Sequence, residues 1–187
     1  MKRILVVDDD ALMRDSLKRA LSSAGYNVHC AGGGIEALEV LERKGFDLII
    51  TDLKMPKLGG LELLQELKDR RCPVEVIITT GAGSQDIGYE ALRLGALEIV
   101  RKPILSLEEK LLPAVRRGVD RYRMKKALKE KELELSHLSS KINEVYNFQR
   151  AVLAADSYED LYSCLLQASK KLAGIKCYFL IAEDDLF

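Results

Sequence analysis

An α/β fold, a doubly wound five-stranded parallel sheet with a long C-terminal helical extension, is what this sequence predicts, on three observations. Five short aliphatic or β-branched runs recur through the first hundred residues. Segments with helical spacing of apolar residues separate them. The runs are apolar at successive positions, the mark of strands covered on both faces.

The first strand is ILVV at 4–7, which runs straight into Asp8, Asp9 and Asp10. A helix follows, with Leu12, Ser16, Ala20 and Ala24 as its stripe. NVHCA at 27–31 is the second strand, and Leu38 with Leu41 marks the second helix. DLIIT at 47–51 is the third strand; Leu61, Leu64 and Leu67 mark the helix after it. The fourth strand is VEVIITT at 74–80, followed by a helix marked by Ile87, Ala91, Leu92 and Leu94. Gly88 weakens that helix by up to ~1 kcal/mol. LEIV at 97–100 completes the set, and the length suits one domain over residues 1–122.

Composition narrows the function. The 29 basic and 29 acidic residues cancel, so net charge favours neither nucleic acid nor an acidic substrate. The apolar run after Met1-Lys2-Arg3 ends at Asp8, too soon for a signal peptide. No stretch approaches the roughly eighteen apolar residues of a membrane span, so a cytoplasmic protein is expected. Cys30, Cys72, Cys164 and Cys177 show neither paired spacing nor nearby histidines in a metal pattern and read as free structural thiols.

Sheets of this kind bind ligands beyond the carboxyl ends of their strands. There stand Asp8, Asp9 and Asp10 after the first strand, Asp52 after the third, Thr80 after the fourth, and Lys102 with Pro103 after the fifth. Clustered carboxylates suit Mg²⁺, a hard cation that keeps some of its waters. With that charge neutralised, one carboxylate can attack phosphorus and carry it as an acyl phosphate. Lys102 offers a point charge to the phosphoryl oxygens, and Thr80 a hydroxyl. Each residue alone has a plainer reading: Asp9 or Asp10 as a helix cap, Asp52 as a turn former before Pro56, Thr80 as a strand end, Lys102 as a surface lysine. Taken jointly the set outweighs those readings, except for Asp10, which is assigned to capping.

VVDDD at 6–10, TDLKMP at 51–56 with Gly60 following, ITTGA at 78–82 and GALEIVRKP at 95–103 resemble the receiver domain of two-component response regulators, over residues 3 to about 122. The resemblance implies a flavodoxin-like sheet of order 2-1-3-4-5. It implies Asp52 as phosphoacceptor and Asp8 and Asp9 as the acidic pair, with Asp9 the closer Mg²⁺ ligand. Asp52 and the backbone carbonyl of Lys54 would also face the metal. Thr80 would be the switch hydroxyl, Lys102 the ion-pair partner of the phosphoryl group, and Pro103 the residue after a cis peptide bond. The switch position is Ile99, aliphatic where the family commonly carries an aromatic, and Gly59 stands where an acid is frequent. Lys54 and Ala82 occupy places that tune phosphate lifetime in the family. The implied partner is a sensor histidine kinase, and the implied role is that of a phosphoryl acceptor with at most self-dephosphorylation, not an enzyme.

Two rival functions are weighed. Asp8-Asp9-Asp10 contains the Asp-x-Asp of Mg²⁺-dependent haloacid-dehalogenase-type phosphatases, with Asp8 as nucleophile. The Ala-Leu after Asp10 and the lack of a later Gly-Asp-x-x-x-Asp argue against it. A scaffold receiver that binds its partner regardless of phosphorylation is disfavoured by the intact set of five residues.

Beyond residue 103, Ser106 to Glu109 forms a capping box, and Pro113 predicts a kink or restart at 112–113. Helical composition then runs to about 155, interrupted only by Gly118. Leu128, Leu135 and Ile142 recur every seven residues, with Leu138, Val145 and Val152 interleaved and Lys131 and Gln149 weakening the seam. A coiled-coil linker over 123–155 is predicted, and a homodimer through a parallel pair of these helices is preferred to a helix folded back, because charges cover the other faces. The basic stretch Arg116 to Lys131 is broken by Asp120, Glu130 and Glu132 and carries no helix-turn-helix pattern, which argues against DNA binding. His137 lacks the acid and proline-terminated run of a relay histidine and reads as a surface residue. Residues 156–187, with a helix at 157–173, a stop at Gly174 and a strand at 176–182, resemble the opening of a GAF domain. FLIAEDDLF echoes ILVVDDDAL and could instead open a second receiver, but the amphipathic helix before it favours GAF. The expectation is a fragment whose core does not close.

Overall fold

Strand side chains alternate between two apolar layers, and that alternation sets the architecture. The computed structural model describes residues 2–81, 85–102 and 110–171, with backbone alone at 85–86 and 165–171. The elements run β1 (Arg3–Val7), α1 (Ala11–Ser23), β2 (Asn27–Ala31), α2 (Gly34–Arg43), β3 (Leu48–Asp52), α3 (Gly60–Asp69), β4 (Glu75–Thr80), α4 (Gln85–Leu94), β5 (Glu98–Arg101), α5 (Leu112–Leu153) and α6 (Tyr158–Lys171). The five strands form one sheet of order β2-β1-β3-β4-β5, parallel throughout. This is the predicted doubly wound fold, with β1 at the point where strand order reverses.

Leu5, Val7, Ile49, Val76 and Ile78 face one layer, where Leu63, Leu64 and Leu67 of α3 and Ala91 of α4 meet them. Ile4, Val6, Leu48, Ile50 and Ile77 face the other, against Leu17 and Leu21 of α1 and Ala114, Val115 and Val119 of α5. Burying one such side chain contributes about 1.5–3 kcal/mol, so the two layers supply the main driving force for the fold.

Strand positions agree with the sequence reading to within a residue, whereas one helix face does not. Leu12, placed on the buried stripe of α1, is 81% exposed, and the helix packs through Met13, Leu17 and Leu21. Leu12, Ser16, Ala20 and Ala24 lie four apart and drift around a 3.6-residue helix, so the stripe was phased one residue early. Leu92 of α4, at 43% exposed, also lies off the core, and Leu63 of α3 is a core residue the spacing missed.

α5 begins at Leu112, one residue before Pro113, and directly follows a wider π-type turn at Lys110 and Leu111. The contacts divide the chain into two units, one ending at Leu128 and the other beginning at Lys129. Within the first unit, a Cβ on Gly118 would come 2.6 Å from Leu48 Cδ1, so a larger residue there requires the Leu48 side chain to shift. In the second unit, α6 starts with a cap the sequence reading did not name: Ser157 Oγ accepts from the Asp160 N–H and lies 2.6 Å from Asp160 Oδ2. Among the described cysteines, Cys30, Cys72 and Cys164 are free thiols. Among the described residues no helix is long and apolar enough to cross a membrane. Ala82, Pro103, the box at Ser106 to Glu109, Gly174, the strand at 176–182 and Cys177 lie outside the described residues.

Candidate functional site: an acidic rim with an internal cation

β1 and β3 are neighbours, and their carboxyl ends deliver Asp8 and Asp52 to the same edge of the sheet. Asp8, Asp9 and Asp52 each present a carboxylate oxygen, and the three oxygens lie within 4.8 Å of one another. Asp8 is 1% exposed and Asp52 9%, while Asp9 is exposed. An all-oxygen set of this size, with one open member, fits a hard divalent cation such as Mg²⁺.

Lys102, just past β5, closes the group. Its Nζ donates to Asp8 Oδ2 at 2.8 Å and lies 2.9 Å from Asp52 Oδ1. Burial alone lowers the Lys102 pKa, but its hydrogen bonds to Asp8 and Asp52, with their charges, outweigh that and leave it raised. Lys102 therefore stays an ammonium throughout the physiological range.

Backbone geometry fixes the acids individually. Asp10 caps α1, its Oδ1 accepting from the N–H of Leu12 at 2.9 Å and of Met13 at 3.5 Å. The third acid thus does what the sequence reading assigned to it. The Asp10 N–H donates to Asp8 Oδ1 at 2.9 Å, and Arg14 Nη1 donates to the Asp8 carbonyl at 2.6 Å. With its own N–H donating to the Ala31 carbonyl at 3.2 Å and Lys102 on Oδ2, Asp8 is held at four points, whereas Asp9 has no such restraint among the described residues and is exposed on the rim.

Thr80 ends β4 nearly buried, its hydroxyl donating to the Gly81 carbonyl at 3.3 Å. The Lys102 N–H donates to the Thr80 carbonyl at 2.7 Å, which ties the ends of β4 and β5 together. Ile99 lies on β5 opposite Ile78, and a Cβ on Gly88 of α4 would come 3.1 Å from its Cδ1. Ile99 therefore rests against α4, away from the acidic group. Lys54 stands in the loop two residues beyond Asp52.

Sequence reasoning missed two supports. Arg14, which holds the Asp8 carbonyl, was not singled out at all. Gly60 was quoted only as part of a motif, yet a Cβ there would collide with the backbone carbonyl of Asp52, so the residue opening α3 must be glycine for β3 to end where it does.

Residues 4–116 match the family model of the response regulator receiver domain. The chain is 40% identical over 100 residues to the transcriptional regulatory protein FixJ of Bradyrhizobium diazoefficiens, covering 54% of this chain and 49% of that protein. It is 39% identical over 109 residues to the response regulator MprA of Mycobacterium leprae, covering 58% and 47%. The crystal structure of a response regulator receiver domain protein from Clostridium thermocellum superposes with a TM-score of 0.62 at 33% identity, over 66% of this chain and 98% of that one. The chain spans about half the length of these two curated relatives. A match to receivers leaves the phosphatase reading of Asp8-Asp9-Asp10 without support. One relative is named a transcriptional regulatory protein, so the sequence argument against DNA binding gains no support either.

Proposed function

The chain belongs to the response regulator receiver domain family and is a two-component response regulator; from that premise we propose that it is a phosphorylation switch with Asp52 as acceptor. The observation that carries this reading is the single group of Asp8, Asp9 and Asp52 with the Lys102 ammonium set between two of them. An Asp52 carboxylate oxygen forms the new bond to phosphorus as the bond from phosphorus to the donor breaks, and the donor leaves with the electron pair. The donor is a phosphohistidine of a sensor kinase or a small acyl phosphate. A bound Mg²⁺ supplies the positive charge that lets the acids face an anionic phosphoryl group. Asp8, Asp9, Asp52 and the Lys54 carbonyl are the groups that would hold it. Lys102 pairs with a phosphoryl oxygen, and Thr80 turns its hydroxyl from Gly81 to another. Ile99 then moves toward the space Thr80 leaves, which shifts the surface of α4 and β5. The chain is an acceptor, not an enzyme, with at most self-dephosphorylation.

The output lies past the first unit. The exposed Leu128, Leu135, Leu138, Ile142 and Val145 favour a coiled-coil homodimer through α5, with a GAF-like region after residue 156 receiving the signal. The test is labelling by acetyl phosphate with Mg²⁺, read by phosphate-affinity electrophoresis. Wild type shifts and Asp52→Asn does not. Equal labelling of the two would sink the assignment.

A further inference from the structure

Glu75 is a carboxylate that the switch chemistry does not use. It opens β4 and is 5% exposed, a costly place for an acid unless it is paired. Its partners come from α5: Lys125 Nζ at 2.6 Å from Oε1, and Arg121 Nε at 3.7 Å. The residue closing the same strand is Thr80. Five residue rises of about 3.3 Å place the two ends about 16 Å apart along a strand buried over its whole length.

β5 repeats the arrangement. Glu98 opens it and pairs with Arg117 of α5 at 2.6 Å, while Lys102 stands just past its other end. Each strand thus holds a switch residue at its carboxyl end and an anion that grips α5 at its amino end. The two grips bracket Gly118, which packs against Leu48 of β3.

Building on the reading of Asp52 as acceptor, we propose that Glu75, seconded by Glu98, is the positioning residue through which displacement of β4 and β5 at the phosphorylation site is passed to α5. A buried strand moves as a rod. An anion fixed at one end transfers that movement to its paired cations, whereas an apolar contact allows the helix to slip over the sheet.

The experiment measures hydrogen exchange of residues 112–128 in the full chain with and without Mg²⁺ and beryllofluoride, alongside acetyl-phosphate labelling. Wild type changes its exchange on adding beryllofluoride. Glu75→Gln keeps the volume, takes label as fast as wild type, and loses at least about fivefold of that response, the lower end of allosteric couplings. Lys125→Gln removes the same contact from the exposed side, so it tests the idea even where Glu75→Gln folds poorly; Lys125→Arg keeps the response. A full response in Lys125→Gln overturns the proposal. So does a wild type that takes label without any change in α5, a result that leaves the acceptor reading standing. A wild type that takes no label overturns both.

Discussion

Ile49 and Ile142 are the same residue type in two regions that solve opposite problems. Ile49 is wholly buried between helices the same chain supplies, while Ile142 is 60% exposed on α5, in line with Leu128 at 61% and Leu135 at 65%. Both regions are written as periodic apolar patterns. In the first unit a two-sided strand finds a helix on each face; on the distal helix a one-sided stripe meets none among the described residues. The difference teaches that an apolar period declares a need for cover without naming the cover, and that connectivity decides whether it is internal.

The strongest way to break this contrast is a matched pair of truncations. Ile49→Ala removes side-chain volume from a closed core and is expected to lower stability by about 2–5 kcal/mol in urea unfolding. Leu135→Ala, by contrast, should leave unfolding of the first unit within about 0.5 kcal/mol of wild type and weaken self-association in sedimentation instead. Equal losses of stability would show that the distal stripe is covered within the chain. A narrower intervention is Gly60→Ala, which drives a methyl into the Asp52 carbonyl. A loss of about 1–3 kcal/mol is expected, together with slower labelling at Asp52. Asp10→Ala removes the α1 cap for about 1 kcal/mol while leaving Mg²⁺ affinity near wild type, as judged by metal titration. A large drop in affinity would return Asp10 to the metal site.

The smallest effect is set by pH. Burial, then the charges of Lys44, Arg3 and Lys18, hold the His29 pKa below its usual value. The unfolded chain therefore takes up a proton near pH 6.5 that the folded chain refuses. The stability contributed by neutral His29 is present above that pH and is lost as pH falls below it toward the lowered folded value. Urea midpoints measured from pH 7.5 down to 5.5 should fall less in His29→Gln than in wild type.

Much of this was legible in the sequence, for reasons that particular residues make plain. The strands were readable because ILVV, the LII of DLIIT and the VII of VEVIITT are consecutive aliphatic residues, and the acidic rim was readable because parallel topology alone brings strand ends together. The face of α1 was not: Leu12 and Met13 are adjacent apolar residues, and only the sheet beneath decides which of them is inside. Glu75 was passed over because a glutamate opening a strand looks like a solvated edge; its burial depends on α5 returning across the sheet some fifty residues later, a contact no local period encodes.

Lys102, bridging Asp8 and Asp52, makes the pocket an ion exchanger. A cation entering from solvent meets acids that already hold a tethered counter-ion, so it must share them with a charge that cannot diffuse away. Three carboxylates against one ammonium still leave the rim anionic, so the tether softens the repulsion among the acids without removing their attraction for a divalent cation. Under the role proposed for Asp52, the same ammonium would swing from carboxylate to phosphoryl oxygen, and the tether between the acids would become the arm that registers occupation of the site.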